Sequence, residues 1–454
     1  MPQDKSIRFV LNQYKISLIS FIEKNRILNS FFSNPLWKGV LILGTGSMLT
    51  QLLGILVIPI LTRLFSPSDF GLFGMFNAIL AIILTFISLR YEYAIPVPKD
   101  SDTAAHLLVL CIVLVCLSSF VLSLVLIILG SYLVTLFNLQ AIAPFFWILL
   151  IGCFGTGIYQ ALNYWAIRKK DYSTITYTQI NQSISGNVSK LFFGIIGIGS
   201  IGLLLGQVIS NITGVGTFVK KIRESDRNCF TSISVPGLKH AAREYRDFPL
   251  FSTPATLLFT VSLQLPVFFI SLFYGIKEVG WYTLAYSMLT LPASFIGSSI
   301  AQAFYGEAAN QMHTNPSALK ALYLNTVKKL TLISLPVFGI IALVAPFLFP
   351  IIFGEAWLGA GVYTLPLAIV AISEFITTPT NKLQVYGFNN WQLGFHIFRF
   401  TLIFLGFYIS NLLNINILLS LFIYGCIVAF TCSILYYLNI LAINTLIANQ
   451  MKIN

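Results

Sequence analysis

Two cations stand where a membrane-spanning pattern does not accept charge without a reason. Lys190 lies in GNVSKLFFGIIG, Gly186 to Gly197, and Arg399 lies in FHIFRFTLIFLG, 209 residues further on (399 − 190), with Gly197 and Gly406 at the same spacing. A charge near the centre of a spanning helix costs roughly 2.5–3.5 kcal/mol on insertion scales, so such residues face a partner, a bundle interior or a watery cavity. An ammonium and a guanidinium turned to one aqueous space would bind an anion. Glu374, five residues before Pro379 (379 − 374), is the carboxylate nearest mid-span; it could take up a coupling proton or cation, or neutralise Lys190 or Arg399. Gln160, Asn163, Tyr164 and Trp165 share a helix end and offer the amides and flat rings that sugars need, a composition that interfacial belts also favour. Glu92, next but one to Arg90, and Glu307 fall at helix ends and read as structural pairs.

Enzyme chemistry finds little to build on. GIGSIG, Gly197 to Gly202, formally matches GxGxxG, but no strand pattern precedes it and it lies between apolar segments, where close packing or a tight turn needs glycine just as much. His106, His240, His313 and His396 have no ligand spacing, and the six cysteines form no CxxC pair. No metal or organic cofactor is expected, only coupling to H+ or Na+.

Composition defines the elements that must carry these residues. Of 454 residues 57% are hydrophobic and 9% charged, whereas soluble domains carry about 25% charged residues. The pattern is that of an all-α polytopic membrane protein, with twelve candidate spans each long enough for a hydrocarbon core of about 30 Å. They run over 39–64, 70–95, 104–130, 141–167, 173–198, 200–220, 248–274, 280–305, 324–350, 360–386, 391–411 and 414–445. The net charge of +12 raises nucleic acid as a partner, but its location speaks for membrane headgroups. With both termini inside, the inner segments collect 23 of the 27 Lys and Arg, only Arg63 and Lys277 lie outside, and Lys190 and Arg399 are intramembrane.

Residues 1–36 read as an interfacial segment on the cytoplasmic side rather than a signal peptide. Polar residues 221–247 read as a cytoplasmic linker between a first six-helix lobe, 37–220, and a second, 248–454. Internal echoes agree with a repeat. LFSPSDFGLF (Leu64 to Phe73) is answered by LFYGIKEVGWY (Leu272 to Tyr282), and NYWAIRKKDY (Asn163 to Tyr172) by KLQVYGFNNW (Lys382 to Trp391). Six spans per half is even, so the halves share one orientation and their pseudo-twofold axis runs along the membrane normal. Prolines 249, 254, 266, 292, 366 and 379 interrupt spans of the second half and permit bending.

The segments TGSMLTQLLGILVIPILTRLFSPSDFGLFGMF (Thr45 to Phe76) and GWYTLAYSMLTLPASFIGSSIAQAFYGEAA (Gly280 to Ala309) resemble the Wzx-like oligosaccharide flippases, the O-antigen transporter branch of the superfamily that includes multidrug extruders and the lipid II flippase. The resemblance runs from about residue 38 to the end, and LTRLFSPSDFG is its most specific fragment. It implies two six-helix lobes around a central cavity in the bacterial cytoplasmic (inner) membrane. The substrate it implies is a polyprenyl-diphosphate-linked oligosaccharide repeat unit of O-antigen, capsule or exopolysaccharide, handed on to other polysaccharide-assembly proteins. Two other readings compete: a cation-coupled drug exporter, which should hold acidic rather than basic residues at depth, and a membrane glycosyltransferase or polymerase, which needs a large outer loop or an acidic pair. A membrane scaffold would leave the intramembrane cations unexplained.

Overall fold

The computed structural model describes residues 35–136, 139–314, 316–381, 383 and 386–453. The interfacial segment expected over 1–36 therefore lies, apart from its last two residues, outside the described part. Among the described residues the secondary structure is helical throughout. In chain order the helices are α1 Pro35–Leu64, α2 Pro67–Leu84, α3 Ser101–Leu136, α4 Phe146–Arg168, α5 Tyr172–Ile196, α6 Ser200–Ile212, α7 Val215–Ser225 and α8 Val235–Glu244. They continue as α9 Thr253–Phe273, α10 Ile276–Thr314, α11 Pro316–Phe353, α12 Leu358–Thr377, α13 Asn389–Leu412 and α14 Ile417–Ile453.

Ten stretches among the described residues are long and apolar enough to cross a membrane, which makes the chain a multi-pass membrane protein; α6 and α7 count together as one of them. The expectation was twelve. Helices α5 and α10 are of spanning length but are not among the ten. In α5 the physical reason is a run of Thr, Ser, Gln and Asn between Ser173 and Ser189. These side chains lower its hydropathy and make it a helix that needs polar surroundings on one face.

Local chemistry sets the ends of the elements. The start of α2 is a capping box: Ser66 accepts from the backbone N–H of Asp69, while the Asp69 carboxylate accepts from the backbone N–H of Ser66, with Pro67 at the first helical position. This is the physical content of the fragment LFSPSDFG. The turn from α5 to α6 uses Gly197 at φ +79° and Gly199 at φ +62°, left-handed values that favour glycine. The tight turn expected between the fifth and sixth spans is thus present.

Packing falls into two sets. Helices α1 to α7 pack among themselves, as do α9 to α14, and the sets meet chiefly where α2 crosses α10. That crossing is a backbone contact. A methyl group added to Gly71 would lie 1.9 Å from the Ile276 carbonyl oxygen, and one added to Gly280 would lie 1.8 Å from the Pro67 carbonyl oxygen. Pro67 and Ile276 are 209 residues apart (276 − 67), as are Gly71 and Gly280 (280 − 71), so each contact is the image of the other under a twofold exchange. Gly74 faces Thr283, again 209 further on (283 − 74), which places this pair close to the exchange axis. The largest apolar core runs through the crossing, including Phe76, Leu80, Leu289 and Leu367.

The same spacing does not govern α5 and α13. Gly197 is the C-cap of α5, whereas Gly406 sits inside α13, whose C-cap is Leu413. Lys190 is therefore seven residues before its helix end (197 − 190) and Arg399 fourteen (413 − 399). At ~1.5 Å per residue, Lys190 lies about 10 Å closer to the end of its own helix than Arg399 does to the end of its helix.

The end of the bundle that carries Arg90, Arg168, Lys169, Lys170 and the basic residues of 220–246 has its own core. Tyr91, Trp165, Phe218 and Ala241 join the 3-10 turn Tyr91–Ala94 to α3, α4, α7 and α8. The polar stretch 221–247 is largely helical and docked: the His106 ring on α3 takes the backbone N–H of Ser234 at 3.3 Å, and Tyr91 donates to the Ala242 carbonyl at 2.9 Å.

Candidate functional site

Lys190 is positioned by two helices packed at glycine. A methyl group on Gly206 of α6 would meet its Cγ at 2.4 Å, so only glycine there lets the lysine stem lie against α6. Its Nζ donates to Gln207 Oε1 at 2.8 Å and stands 4.8 Å from the centre of the Phe73 ring of α2. Among the described residues it has no carboxylate partner. A neutral amide and a ring face hold the ammonium in place without cancelling its charge, which leaves its remaining hydrogens available to an anion.

Below Lys190 a polar stripe continues along α5 and α6. Gln207 Nε2 donates to Asn211 Oδ1 at 3.1 Å, Gln182 donates to the Asn211 carbonyl at 3.2 Å, and Ser183 to the Thr50 carbonyl of α1 at 3.1 Å. Gln179 keeps a buried amide oxygen without a hydrogen bond. On α1, Gln51 accepts from Ser294 of α10 at 2.5 Å, an exposed bond that joins the two helix sets.

Arg399 is held differently. It is 7% exposed, and its Nη2 meets Glu374 Oε1 of α12 at 2.5 Å. Glu374 Oε2 also accepts from the Tyr286 hydroxyl of α10 at 3.1 Å, and Tyr286 stacks on Tyr282 at 5.7 Å. Of the two roles expected for Glu374, the structure displays neutralisation of Arg399. The guanidinium Nε has no hydrogen-bond partner among the described residues, and His396, one turn earlier, lies against Phe259 at 5.0 Å. Lys190 and Arg399 thus have separate partners on separate helices.

The four residues at the end of α4 divide. Trp165 is 2% exposed, donates its Nε1–H to Asp226 Oδ2 at 2.9 Å and packs on Phe230 at 5.2 Å. Tyr164 meets Tyr93 edge-on at 4.8 Å. Both rings are engaged in holding the basic end together. Asn163 keeps a buried oxygen without a partner, and Gln160 is half-buried with no hydrogen bond to the described residues. Glu92, 1% exposed, pairs with Arg90 at 3.4 Å and accepts from Ser88, the structural role expected of it. Glu307 accepts from Gln311.

Sequence reasoning missed Gln207, Phe73 and Tyr286. Tyr282 and Tyr286 are spaced i, i+4 on one helix, a visible signal, but nothing in the chain points from Tyr286 to Glu374, 88 residues away.

Residues 60–361 match the family described as "Polysaccharide biosynthesis protein". The teichuronic acid biosynthesis protein TuaB of Bacillus subtilis is 26% identical over 141 residues, 31% of this chain and 29% of its own. The succinoglycan biosynthesis transport protein ExoT of Rhizobium meliloti is 23% identical over 211 residues, 46% of this chain and 40% of its own. The chain thus spans less than half the length of these relatives. Among solved structures, an inward-facing multidrug resistance MATE family transporter of the MOP superfamily superimposes with a TM-score of 0.64 at 16% identity, covering 87% of this chain and 95% of that one. At that identity the likeness establishes the fold.

Proposed function

From the premise that this chain belongs to the polysaccharide biosynthesis protein family, we propose that it is a flippase, a transporter rather than an enzyme. It moves a polyprenyl-diphosphate-linked oligosaccharide, an O-antigen, capsule or exopolysaccharide precursor, across the bacterial cytoplasmic membrane by alternating access. Its two six-helix lobes, 37–220 and 248–454, joined by 221–247, rock about the α2–α10 crossing, with both termini cytoplasmic. A proton or Na+ gradient acts through Glu374, and other polysaccharide-assembly proteins receive the product.

The observation that carries this reading is the uncancelled charge of Lys190. Its ammonium is set by Gln207 at 2.8 Å and Phe73 at 4.8 Å, and a membrane interior retains such a cation where an anion passes. A diphosphate supplies that anion. Arg399 joins it when Glu374 releases the guanidinium, whose Nε is already unpaired. The sugars follow on open amides: Gln160 and Asn163, with Tyr164 and Trp165 behind them, and the α5 stripe at Gln179.

The test is the sidedness of lipid-linked oligosaccharide in cells lacking the gene, read with a membrane-impermeant sugar probe on oriented vesicles. The expected result is accumulation on the cytoplasmic face, reversed when the gene is restored. Unchanged sidedness in a strain with no second flippase contradicts the reading.

A further inference from the structure

A cavity of about 390 Å³ opens at the basic end, between the last turn of α4, the start of α5 and helix α7. Its wall is apolar: Phe218, 2% exposed, and half-buried Ile222 face it from α7. Its rim is charged, and the charges balance, two lysines against two aspartates. One pair is closed, with Lys169 Nζ 2.8 Å from Asp226 Oδ1; the other is open, with Lys221 Nζ 3.9 Å from Asp171 Oδ2. A separation of 3.9 Å is too long for a hydrogen bond, so the Lys221 hydrogens are free for a ligand that fits between the two side chains. Asp171 is fixed in place by donors from Thr174 and Ser173, so its carboxylate is a rigid acceptor rather than a mobile one.

The surroundings indicate which phase the ligand comes from. Helix α7 is amphipathic, with Phe218 turned inward and Lys220, Lys221 and Arg223 exposed, the pattern of a helix lying in a membrane interface. Tyr93, Tyr164 and Trp165 gather at the same end of the bundle, where aromatic rings mark headgroup level.

We propose that this cavity is a binding site for a zwitterionic aminophospholipid. The phosphate is bound by Lys221, the ammonium by Asp171, and an acyl chain lies along Phe218 and Ile222. A headgroup carrying only negative charge would leave Asp171 opposed to it, since Asp226 is already paired with Lys169. A quaternary choline would offer Asp171 no hydrogen to accept. The Lys169–Asp226 pair, tied through Asp226 to Trp165, forms the fixed back of the site.

The experiment is native mass spectrometry of the full chain, purified in detergent and titrated with phosphatidylethanolamine, phosphatidylglycerol or phosphatidylcholine of equal chain length, and separately with free phosphoethanolamine. One phosphatidylethanolamine is expected to stay bound per chain, with both other lipids weaker by about tenfold, the size of one lost hydrogen bond to a charged group. Lys221→Gln and Asp171→Asn should each reduce that retention by a similar factor; Asn is also a good helix cap, so the second variant keeps α5 in place. Equal retention of the three lipids, or unchanged binding in both variants, overturns the proposal. Phosphoethanolamine binding as tightly as the lipid overturns its membrane origin.

Discussion

Arg399, 7% exposed, and Glu374, whose side chain is 20% exposed, form a partly buried ion pair at 2.5 Å between α13 and α12, and the Tyr286 hydroxyl bonds the second carboxylate oxygen at 3.1 Å. Removing one member of a fully buried pair strands the other at a loss of roughly 3–5 kcal/mol, a loss that the partial exposure of Glu374 reduces here, whereas replacing both by apolar residues of similar size is often neutral. Arg399→Met and Glu374→Leu should each lower the unfolding temperature of the detergent-purified protein, and the double variant should recover most of the loss. If the carboxylate couples an ion gradient, Glu374→Gln abolishes the ion dependence of transport. Full transport with its ion dependence intact would remove Glu374 from that role.

Gly206 gives a way to disturb Lys190 without deleting its charge. A methyl group 2.4 Å from the lysine Cγ must push the stem off α6 and break the bond to Gln207. Gly206→Ala should therefore reduce transport by about tenfold or more, the worth of one charged hydrogen bond, with normal membrane insertion. Gly54→Ala is the control, since nothing lies within 4 Å of the added methyl group; transport there should be unchanged.

At the α2–α10 crossing the obstructing atoms are backbone carbonyls, which cannot rotate away. Gly71→Ala and Gly280→Ala should each destabilise the closed crossing by about 1–3 kcal/mol, the usual cost of overpacking. By the twofold relation of the two contacts their effects should be of similar size. Thermal unfolding of each variant measures the loss.

Asp171 is the N-cap of α5, accepting from Thr174 at 3.2 Å. Burial pushes its carboxyl up, but the bonds from Thr174 and Ser173, with Lys221 beyond, outweigh this and leave it below the usual carboxylate range. A depressed folded-state value contributes stability that is present above the unfolded value of about 3.9 and is lost as pH falls through the folded one. Asp171→Ala should cost about 1 kcal/mol near neutrality and progressively less below about pH 4, measured as the difference in unfolding temperature across pH.

Much of the fold could be read from the residues because membrane elements are specified locally. Apolar length marked the spans, whereas the capping box of Ser66 and Asp69 that starts α2 emerged only in the structure. The echo between Leu64–Phe73 and Leu272–Tyr282 proved to be two faces of one contact, through Gly71 and Gly280. Long-range pairing was not legible. The match of Lys190 with Arg399 rested on shared spacing, yet Gly197 ends a helix while Gly406 continues one, so similar letters stand at different distances from their helix ends. Trp165 has the type of a sugar platform, but its partner Asp226 is 61 residues away and no local pattern announces it. The polarity of α5 lowered its hydropathy for the same reason that makes it useful: amides from Gln179 to Asn187 belong beside water or substrate.

In the proposed function, the uncancelled ammonium at Lys190 passes a diphosphate-linked sugar across the bilayer. The most direct measurement is flipping of a fluorescent polyprenyl-diphosphate oligosaccharide in vesicles reconstituted with the intact protein or with Lys190→Gln. Fast flipping by the intact chain, reduced at least about tenfold by the substitution at equal protein incorporation, is the predicted result. Equal rates for the two proteins, or no flipping above protein-free vesicles under any ion gradient, would contradict it.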